Sequence, residues 1–445
     1  MHRRACVMVP ALVIAGSFML ISCGRSRGKT ELSLLDSFLP GQSDPSSISL
    51  NIRIRDFQAK HPEVTLIRDQ SSFDKLDARV PVLGSAGQLP DLFVARSSWI
   101  PKLADAGKVL PVETLMKDNK AFLDGFIPGM LNDFQYKDAH FGIPWQAVPV
   151  SLLYQNMDLL RKAGIAKVPD TLNDLLAAVK ALRGKGITPI AMGGRDARES
   201  RLLFSGLNVR TAGADWLEKL KSAQMKFTDP PFQTTVAVFD VLARAGAWNK
   251  DFAKIDAAQA RAMYLRQKVA MYNETAAFAL TEDDQWPAEL KRATRLSVFP
   301  RLPGEDLSAG VTLPVTAGRG IAFSSRLSGD KLRAARWFAV EVLGDDYTRA
   351  LEARGGIGVR KVDGVDFSRA PEVMKRYFDE LAPKVNAGGH IDERMPSSVT
   401  DAVSASLQSV MLGQESAAAA LQDIQAALEK SGTVKSETMR GTAHQ

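Results

Sequence analysis

The side chains that most often do catalytic chemistry are sparse in this sequence and widely spaced. The histidines are His2, His61, His140, His390 and His444. The motifs for a catalytic zinc site and a phosphate-binding P-loop are both missing from the sequence. The sequence does not exclude a pair of carboxylates able to hydrolyse a glycosidic bond, but no pair stands out from the others. We therefore expect neither an enzymatic activity nor a cofactor.

Two short runs look like ligand sites only superficially. Gly356 and Gly358 begin the spacing of a dinucleotide-binding fingerprint, but Lys361 replaces its last glycine. The run Glu282-Asp283-Asp284 could hold a cation, yet neighbouring acids on a polar segment are usually solvated. We expect a plain loop at the first run and no metal site at the second.

One cysteine near the start of the chain has chemistry of its own. Arg3 and Arg4 precede the apolar stretch Cys6–Leu20, and a small residue stands directly before Cys23. The stretch is shorter than the ~20 apolar residues of a transmembrane helix but suits a signal peptide. The segment resembles a bacterial lipobox, whose cysteine thiol accepts a diacylglycerol. We expect residues 1–22 to be a lipoprotein signal peptide and Cys23 to be the lipidated first residue of the mature chain.

Much of the positive charge lies close to this cysteine. The formal net charge is +7, and without the basic residues of the first 30 positions it is about +2. No block of Lys and Arg with interleaved aromatics is present, so nucleic acid is not an expected partner. Residues 23–30 are expected to be a lipidated tether, attracted to anionic headgroups by roughly 1 kcal/mol per charge. Because Cys6 leaves with the signal peptide, no disulfide is expected.

Predicted strands and helices alternate along the rest of the chain, which indicates an α/β fold. Glu31–Leu35 and Val64–Ile67 are predicted strands on either side of a helix that a proline ends. Thr171 and Asp174 form a capping box at the start of another helix, which we expect Gly184 to end. A length of 445 residues favours two domains over one.

Several motifs resemble, in order, those of one protein family. They are Phe57–Val64, Leu89–Phe93, Ala104–Val112, Phe141–Trp145, Leu153–Thr171 and Tyr264–Met271. The run Phe141-Gly-Ile-Pro-Trp145, for example, matches the family's Y-G-I-P stretch. Each motif is weak alone, but their order over about residues 50–430 is specific. The chain resembles the extracellular solute-binding proteins of ABC importers, in the sugar-binding family that includes maltose-binding protein.

The resemblance implies an α/β, two-lobe periplasmic-binding-protein fold (type II, class D-like) with hinge strands between the lobes. Lobe I is expected to comprise residues 31–146 and 322–356, and lobe II residues 147–321 and 357–445. The chain is expected to cross between lobes near residues 146–151, 318–322 and 356–360. The ligand of such proteins lies in the cleft, and hinge closure presents the closed form to the permease.

The same resemblance assigns a set of residues to the cleft. Trp99 and Trp145 are expected to offer aromatic faces to the apolar side of a sugar, with polar groups around them. The expected ligand-binding residues are Ser37, Phe38, Ser97, Ser98, Trp99, Trp145, Gln146, Arg195, Asn273, Glu274 and Gly318.

One departure from the family pattern bears on the ligand. The family commonly places a sugar-stacking tryptophan shortly after the motif that ends at Met271, where this chain has Ala276 and its neighbours. Together with Asn273, Glu274 and Arg195, the lost aromatic favours a small, heavily hydroxylated or partly charged sugar over a long maltodextrin.

The resemblance implies a lipid-anchored substrate-binding subunit of an ABC importer, without catalytic activity. It is expected to work as a monomer in the periplasm or elsewhere outside the cytoplasm, capturing a carbohydrate for the permease. Two alternatives stay open: a sensor or surface interaction lipoprotein built on the same fold, and a lyase or hydrolase on a related two-lobe scaffold. Neighbouring permease genes would indicate transport, and a neighbouring sensor kinase would indicate signalling.

Overall fold

The computed structural model describes residues 28–281, 285–305 and 310–433. Cys23, the expected signal peptide and the acids at 282–284 therefore lie outside the described residues. The strands are β1 (Thr30–Asp36), β2 (Val64–Gln70), β3 (Leu92–Arg96), β4 (Gln135–Tyr136), β5 (Ala139–His140), β6 (Ile143–Pro144), β7 (Val148–Pro149), β8 (Leu152–Asn156), β9 (Thr188–Ala191), β10 (Val269–Glu274), β11 (Thr294–Ser297), β12 (Val311–Thr316), β13 (Arg319–Phe323) and β14 (Val385–Gly388).

Helices alternate with these strands. They are α1 (Pro45–Lys60), α2 (Phe73–Ser85), α3 (Ile100–Asp105), α4 (Val112–Leu115), α5 (Lys120–Asp124), α6 (Met157–Lys162), α7 (Leu172–Gly184), α8 (Arg198–Thr211), α9 (Trp216–Lys221), α10 (Pro230–Arg244), α11 (Ala257–Leu265), α12 (Phe278–Thr281), α13 (Ala288–Ala293), α14 (Gly329–Val342), α15 (Asp345–Glu352), α16 (Glu372–Arg376), α17 (Ile391–Arg394), α18 (Ser397–Met411) and α19 (Ala417–Lys430). Short 3₁₀ turns include Ser97–Trp99, Asn132–Phe134, Phe252–Lys254, Phe367–Arg369 and Ala382–Lys384, and Tyr377–Leu381 is a π-helical turn. None of the described helices is both long and apolar enough to cross a bilayer.

One lobe, lobe I, is built on a five-stranded sheet with the order β2-β1-β3-β13-β6. Strands β1, β2 and β3 run parallel, whereas β13 runs antiparallel to both β3 and β6. The predicted strands at Glu31–Leu35 and Val64–Ile67 are confirmed as β1 and β2. Helix α1 lies between them in sequence and buries Leu50, Ile54 and Phe57, whose spacing places them on one helical face.

Lobe II is built on a four-stranded sheet with the order β11-β8-β10-β9. The capping box of Thr171 and Asp174 is confirmed at the start of α7, which buries Leu175. Gly184 was expected to follow the end of α7, but it is the last residue of the helix, so the expected end is wrong. Gly186 follows with φ +69°, the left-handed conformation that suits glycine at a helix end.

The expected lobe boundaries stay predictions, and the strand pairing indicates where the chain passes between the lobes. Strands β7 and β12 pair with each other beside the cleft, and β14 extends that small sheet. Strand β13 begins at Arg319 in the lobe I sheet, so the second passage lies at residues 317–318, ahead of the expected boundary. Ile127 N–H donates to Val359 O at 2.9 Å, so the chain still contacts lobe I beyond position 356.

Candidate ligand-binding cleft

Residues from both lobes line a cleft of about 490 Å³, within the range of roughly 300–1,000 Å³ typical of small-molecule sites. Its wall includes the start of α1, the segment after β6, the start of α8, the turn between β12 and β13, and α17. The residues are Asp44, Pro45, Ser46, Phe73, Arg96, Trp145, Gln146, Ala147, Val148, Val150, Arg198, Leu202, Thr275, Ala276, Ala277, Leu280, Thr316, Ala317, Gly318, Arg319, Ile357, His390, Asp392 and Glu393.

Trp145 and Gln146 lie on this wall, directly after β6. The Trp145 side chain is only 1% exposed and contacts Phe38 edge-to-face, with ring centroids 5.2 Å apart. Its indole Nε1 is buried and has no hydrogen-bond partner among the described residues. A buried donor without a partner is uncommon in folded proteins. Trp145 thus lines the cleft while its ring packs against Phe38, which is not itself a cleft-lining residue.

The turn after β1 is held by a buried carboxylate. Asp36 accepts from the backbone N–H of Phe38 at 2.9 Å and pairs with Arg68 at 2.8 Å. Ser37 is 1% exposed, and its hydroxyl has no hydrogen-bond partner. Neither Ser37 nor Phe38 is among the residues that line the cleft, so the structure places both behind its wall. Direct contact of either residue with a ligand stays a prediction.

Of the other expected residues of lobe I, only Ser97 is seen to contact Gly318 in the described part of the chain. Ser97 N–H donates to Gly318 O at 2.9 Å, and Gly318 itself lines the cleft. Trp99 packs against the lobe I core and Ser98 is exposed, and neither lines the cleft. Because Trp99 is not among the residues that line the cleft, a sugar-stacking role for it stays a prediction.

Helix α17 connects the lobes across the cleft. It belongs to lobe II, since Ile391 lies in that lobe's core. Glu393 Oε2 accepts from the hydroxyl of Ser97 at 2.9 Å, and Arg394 pairs with Asp133 of lobe I at 3.0 Å. A Cβ on Gly318 would lie 2.1 Å from Glu393 Oε2, so a side chain at this position would force the Glu393 carboxylate to move. The contacts hold the two lobes together at one edge of the cleft.

Behind the lobe II wall lies a buried charge network around Glu274. This carboxylate is fully buried and pairs with Arg198 at 2.6 Å and with Arg261 at 3.1 Å. Burial favours the protonated form, but the two arginines outweigh it and lower the pKa of Glu274. Only Arg198 of the three lines the cleft, so Glu274 positions that guanidinium at the wall.

Asn273 is also buried, and it supports the first passage between the lobes. Its Oδ1 accepts from the hydroxyl of Ser151 at 3.0 Å. Ser151 has φ +65°, a left-handed conformation that is uncommon for a residue with a side chain. This hydrogen bond, which Asn273 accepts, therefore stabilises a strained residue between β7 and β8. Asn273 itself does not line the cleft.

Arg195 lies apart from these groups. It lies in the loop before α8, and its exposed side chain forms an ion pair with Asp256. It is not among the cleft-lining residues, and its role in ligand binding stays a prediction.

A second carboxyl group, Glu199, shares the network. It is fully buried, its Oε1 accepts from the Tyr272 hydroxyl at 2.9 Å, and its Oε2 has no hydrogen-bond partner within the described ranges. Burial raises the pKa of Glu199 from 4.5 to about 7. Between these two values the folded protein binds more protons than the unfolded chain, so stability falls as pH rises.

Glu199→Gln is therefore expected to raise the free energy of unfolding by about 1–3 kcal/mol at pH 8 and to change it little near pH 5. The amide keeps an oxygen for Tyr272 and removes the charge that is costly to bury. Urea unfolding at both pH values measures the effect, with exposed Glu429→Gln as the matched control. An equal change at the two pH values would contradict the assignment.

Sequence reasoning missed much of the charge on the cleft wall. Arg96 ends a buried strand, Arg198 begins a helix and Glu393 belongs to a one-turn helix near the end of the chain. Each stands outside the family-like motifs. The cleft residues with ionisable side chains that the sequence did not indicate are Asp44, Arg96, Arg198, Arg319, His390, Asp392 and Glu393.

Three solved or curated proteins illustrate what the chain is similar to. A maltotriose-binding protein of Pyrococcus abyssi is 28% identical over 120 residues, covering 27% of this chain and 24% of that protein. A chitin oligosaccharide binding protein superposes with TM-score 0.72 at 22% identity, covering 90% of this chain and 98% of that one. A probable secreted solute-binding lipoprotein from Streptomyces coelicolor superposes with TM-score 0.74 at 17% identity, covering 89% of this chain and 98% of that one.

The sequence matches and the structural matches support different conclusions. The chain spans less than half the length of the curated relatives it matches. The solved structures cover nearly all of the chain at low identity, so they show the two-lobe α/β fold that the sequence predicted. The model of one family covers residues 46–318, more than half of the chain. The chain belongs to the family of bacterial extracellular solute-binding proteins.

Proposed function

We propose that this protein is the substrate-binding subunit of an ABC importer, capturing a sugar or sugar-like solute in the cleft and delivering it to the permease. The observation that carries this proposal is the cleft between the lobes, with Trp145 at its wall and polar groups around it. Sugars have apolar C–H faces and polar rims, which suit this combination.

The similar proteins support a carbohydrate as the class of ligand. The relative from Pyrococcus abyssi is named for maltotriose, and one structural neighbour is named for chitin oligosaccharides. Those ligands belong to those proteins. For this chain, the cleft volume of about 490 Å³ favours a small carbohydrate over a long chain.

A thermal-shift screen against neutral and charged mono- and oligosaccharides tests the proposal. A ligand at about 100 times its Kd adds roughly 2.7 kcal/mol to the stability of the folded state, which a midpoint shift reports. Small-angle scattering with the identified sugar is expected to show a smaller radius of gyration, because the lobes close. Sugar binding without any sugar uptake by cells would favour the sensor alternative, and failure of every carbohydrate would contradict the proposal.

We also propose that Cys23 anchors the mature protein to a membrane outside the cytoplasm. Cys23→Ala is expected to abolish partitioning into the detergent phase while the soluble protein stays folded, because acyl chains contribute about 0.8 kcal/mol per buried CH₂. Phase separation followed by circular dichroism measures both properties, with Ser26→Ala in the tether as control. A Cys23→Ala protein that still enters the detergent phase would rule out the lipid anchor.

A further inference from the structure

Two arginines stand side by side on the lobe I wall of the cleft. Arg96 of β3 and Arg319 of β13 are directly opposite each other in the antiparallel pair, and both line the cleft. Like charges at directly opposed positions of a sheet destabilise it. The arrangement therefore calls for negative charge nearby.

Only one of the two arginines has a full partner within the protein. Arg96 donates from Nε to Asp77 at 2.7 Å and forms a second, shorter contact with the same carboxylate. Arg319 lies over the ring of Phe73 at 3.8 Å, and within the described part of the chain it forms no ion pair or hydrogen bond. Burial, together with the charge of Arg96, lowers the pKa of Arg319, although a guanidinium stays charged.

The acids that line the cleft are occupied elsewhere. Asp44 caps α1 by accepting from the N–H of Ser47, and Asp392 pairs with Arg201 at 2.8 Å. Glu393 is close enough to influence Arg319 electrostatically, but its hydrogen bond is to Ser97. None of these carboxylates forms an ion pair with Arg319.

A third arginine faces the same cleft from lobe II. Arg198 uses Nη1 for its bond to Glu274 at 2.6 Å, and the guanidinium carries further donors on Nε and Nη2. Its side chain is 33% exposed. A planar fork of donors binds carboxylate and phosphate oxygens with directional, charge-assisted hydrogen bonds.

We propose that the solute bound in the cleft is an anionic sugar, whose carboxylate or phosphate is held by Arg319 of lobe I and approached by Arg198 of lobe II. This inference rests on the proposed function and narrows its ligand class. Asp77, Glu393 and Asp74 lie close enough to raise the pKa of Arg319, but among the described residues none pairs with its guanidinium, so the anion supplies the direct partner that Arg319 lacks. Because the two cations belong to different lobes, the same anion also favours closure.

The test compares sugars that differ only in charge. Isothermal titration calorimetry of the full chain uses glucuronate, galacturonate, glucose 6-phosphate and galactose 6-phosphate against glucose and galactose. At least one anionic sugar is expected to bind at least about 10-fold more tightly than its neutral counterpart. The uronates and the phosphates distinguish the two sources of charge.

Arg319→Gln is expected to weaken binding of the anionic sugar by about 10- to 100-fold, because a hydrogen bond to a charged group is lost. It is also expected to remove the preference for the anionic over the neutral sugar. Arg319→Lys keeps the charge but loses the fork, so it is expected to weaken binding less, and it serves if the glutamine variant does not fold. Arg244→Gln, an exposed arginine paired only with Asp240 on α10, is the control.

The titration results distinguish failure of the anionic-sugar inference from failure of the proposed function. Equal or tighter binding of the neutral sugar, or an anionic preference that survives both Arg319 substitutions, overturns the inference and leaves the proposed function standing. If none of these six sugars binds, the inference is overturned, and the thermal-shift screen decides the carbohydrate class separately.

Discussion

Glu274→Ala is expected to lower the free energy of unfolding by about 2–4 kcal/mol. Breaking a fully buried ion pair by removing one partner typically costs about 3–5 kcal/mol, and the partly exposed arginines here reduce that figure. The carboxylate is the shared partner of Arg198 and Arg261, and it also accepts from the backbone N–H of Thr275 at 2.7 Å. Its removal leaves two positive charges close together behind the cleft wall.

Urea unfolding at pH 7 measures this loss, and two further variants define its cause. Glu274→Gln keeps the hydrogen-bonding oxygen and removes the charge, so a smaller loss of about 1–2 kcal/mol is expected. Glu372→Ala removes an exposed partner of Arg376 and is expected to change stability by less than about 1 kcal/mol. If Glu274→Ala were as mild as the surface control, Glu274 would not organise the wall.

The sequence predicted the two-lobe fold well because the relevant signals are local. Helix α1 shows its buried face in the spacing of Leu50, Ile54 and Phe57, and α7 shows its start in a capping box. Both depend on residues within a few positions of each other. The family-like motifs add the order of these elements, and the structural neighbours confirm the result.

The charged wall of the cleft could not be predicted in this way. The sequence analysis selected Arg195, but α8 begins three residues later, at Arg198. The residue before the helix, Ala197, has φ +50° and no capping side chain, so the sequence contains no signal for that start. The opposition of Arg96 and Arg319 arises from strand pairing between distant segments. Such contacts depend on register, which local patterns do not determine.

Trp145→Ala is expected to lower both the stability of the protein and its affinity for the sugar. Replacing a buried tryptophan with alanine typically costs about 3–5 kcal/mol, and here it also removes the edge-to-face contact with Phe38. The side chain stands at the first passage between the lobes, where Gln146 and Ala147 continue the cleft wall. A cavity at this point alters the hinge as well as the contact surface.

Trp216→Ala separates the two effects. Trp216 is fully buried in the lobe II core and is not among the cleft-lining residues, so a comparable loss of stability is expected without the loss of a cleft contact. Calorimetry with the sugar found in the screen, at a temperature where both variants are folded, is expected to give at least about 10-fold weaker binding for Trp145→Ala alone, from lost aromatic contact and buried area. Equal affinities in the two variants would show that Trp145 supports the fold without contacting the ligand. The sugar would then be held by the polar and charged groups of the wall, and the three arginines would become the main determinants of binding.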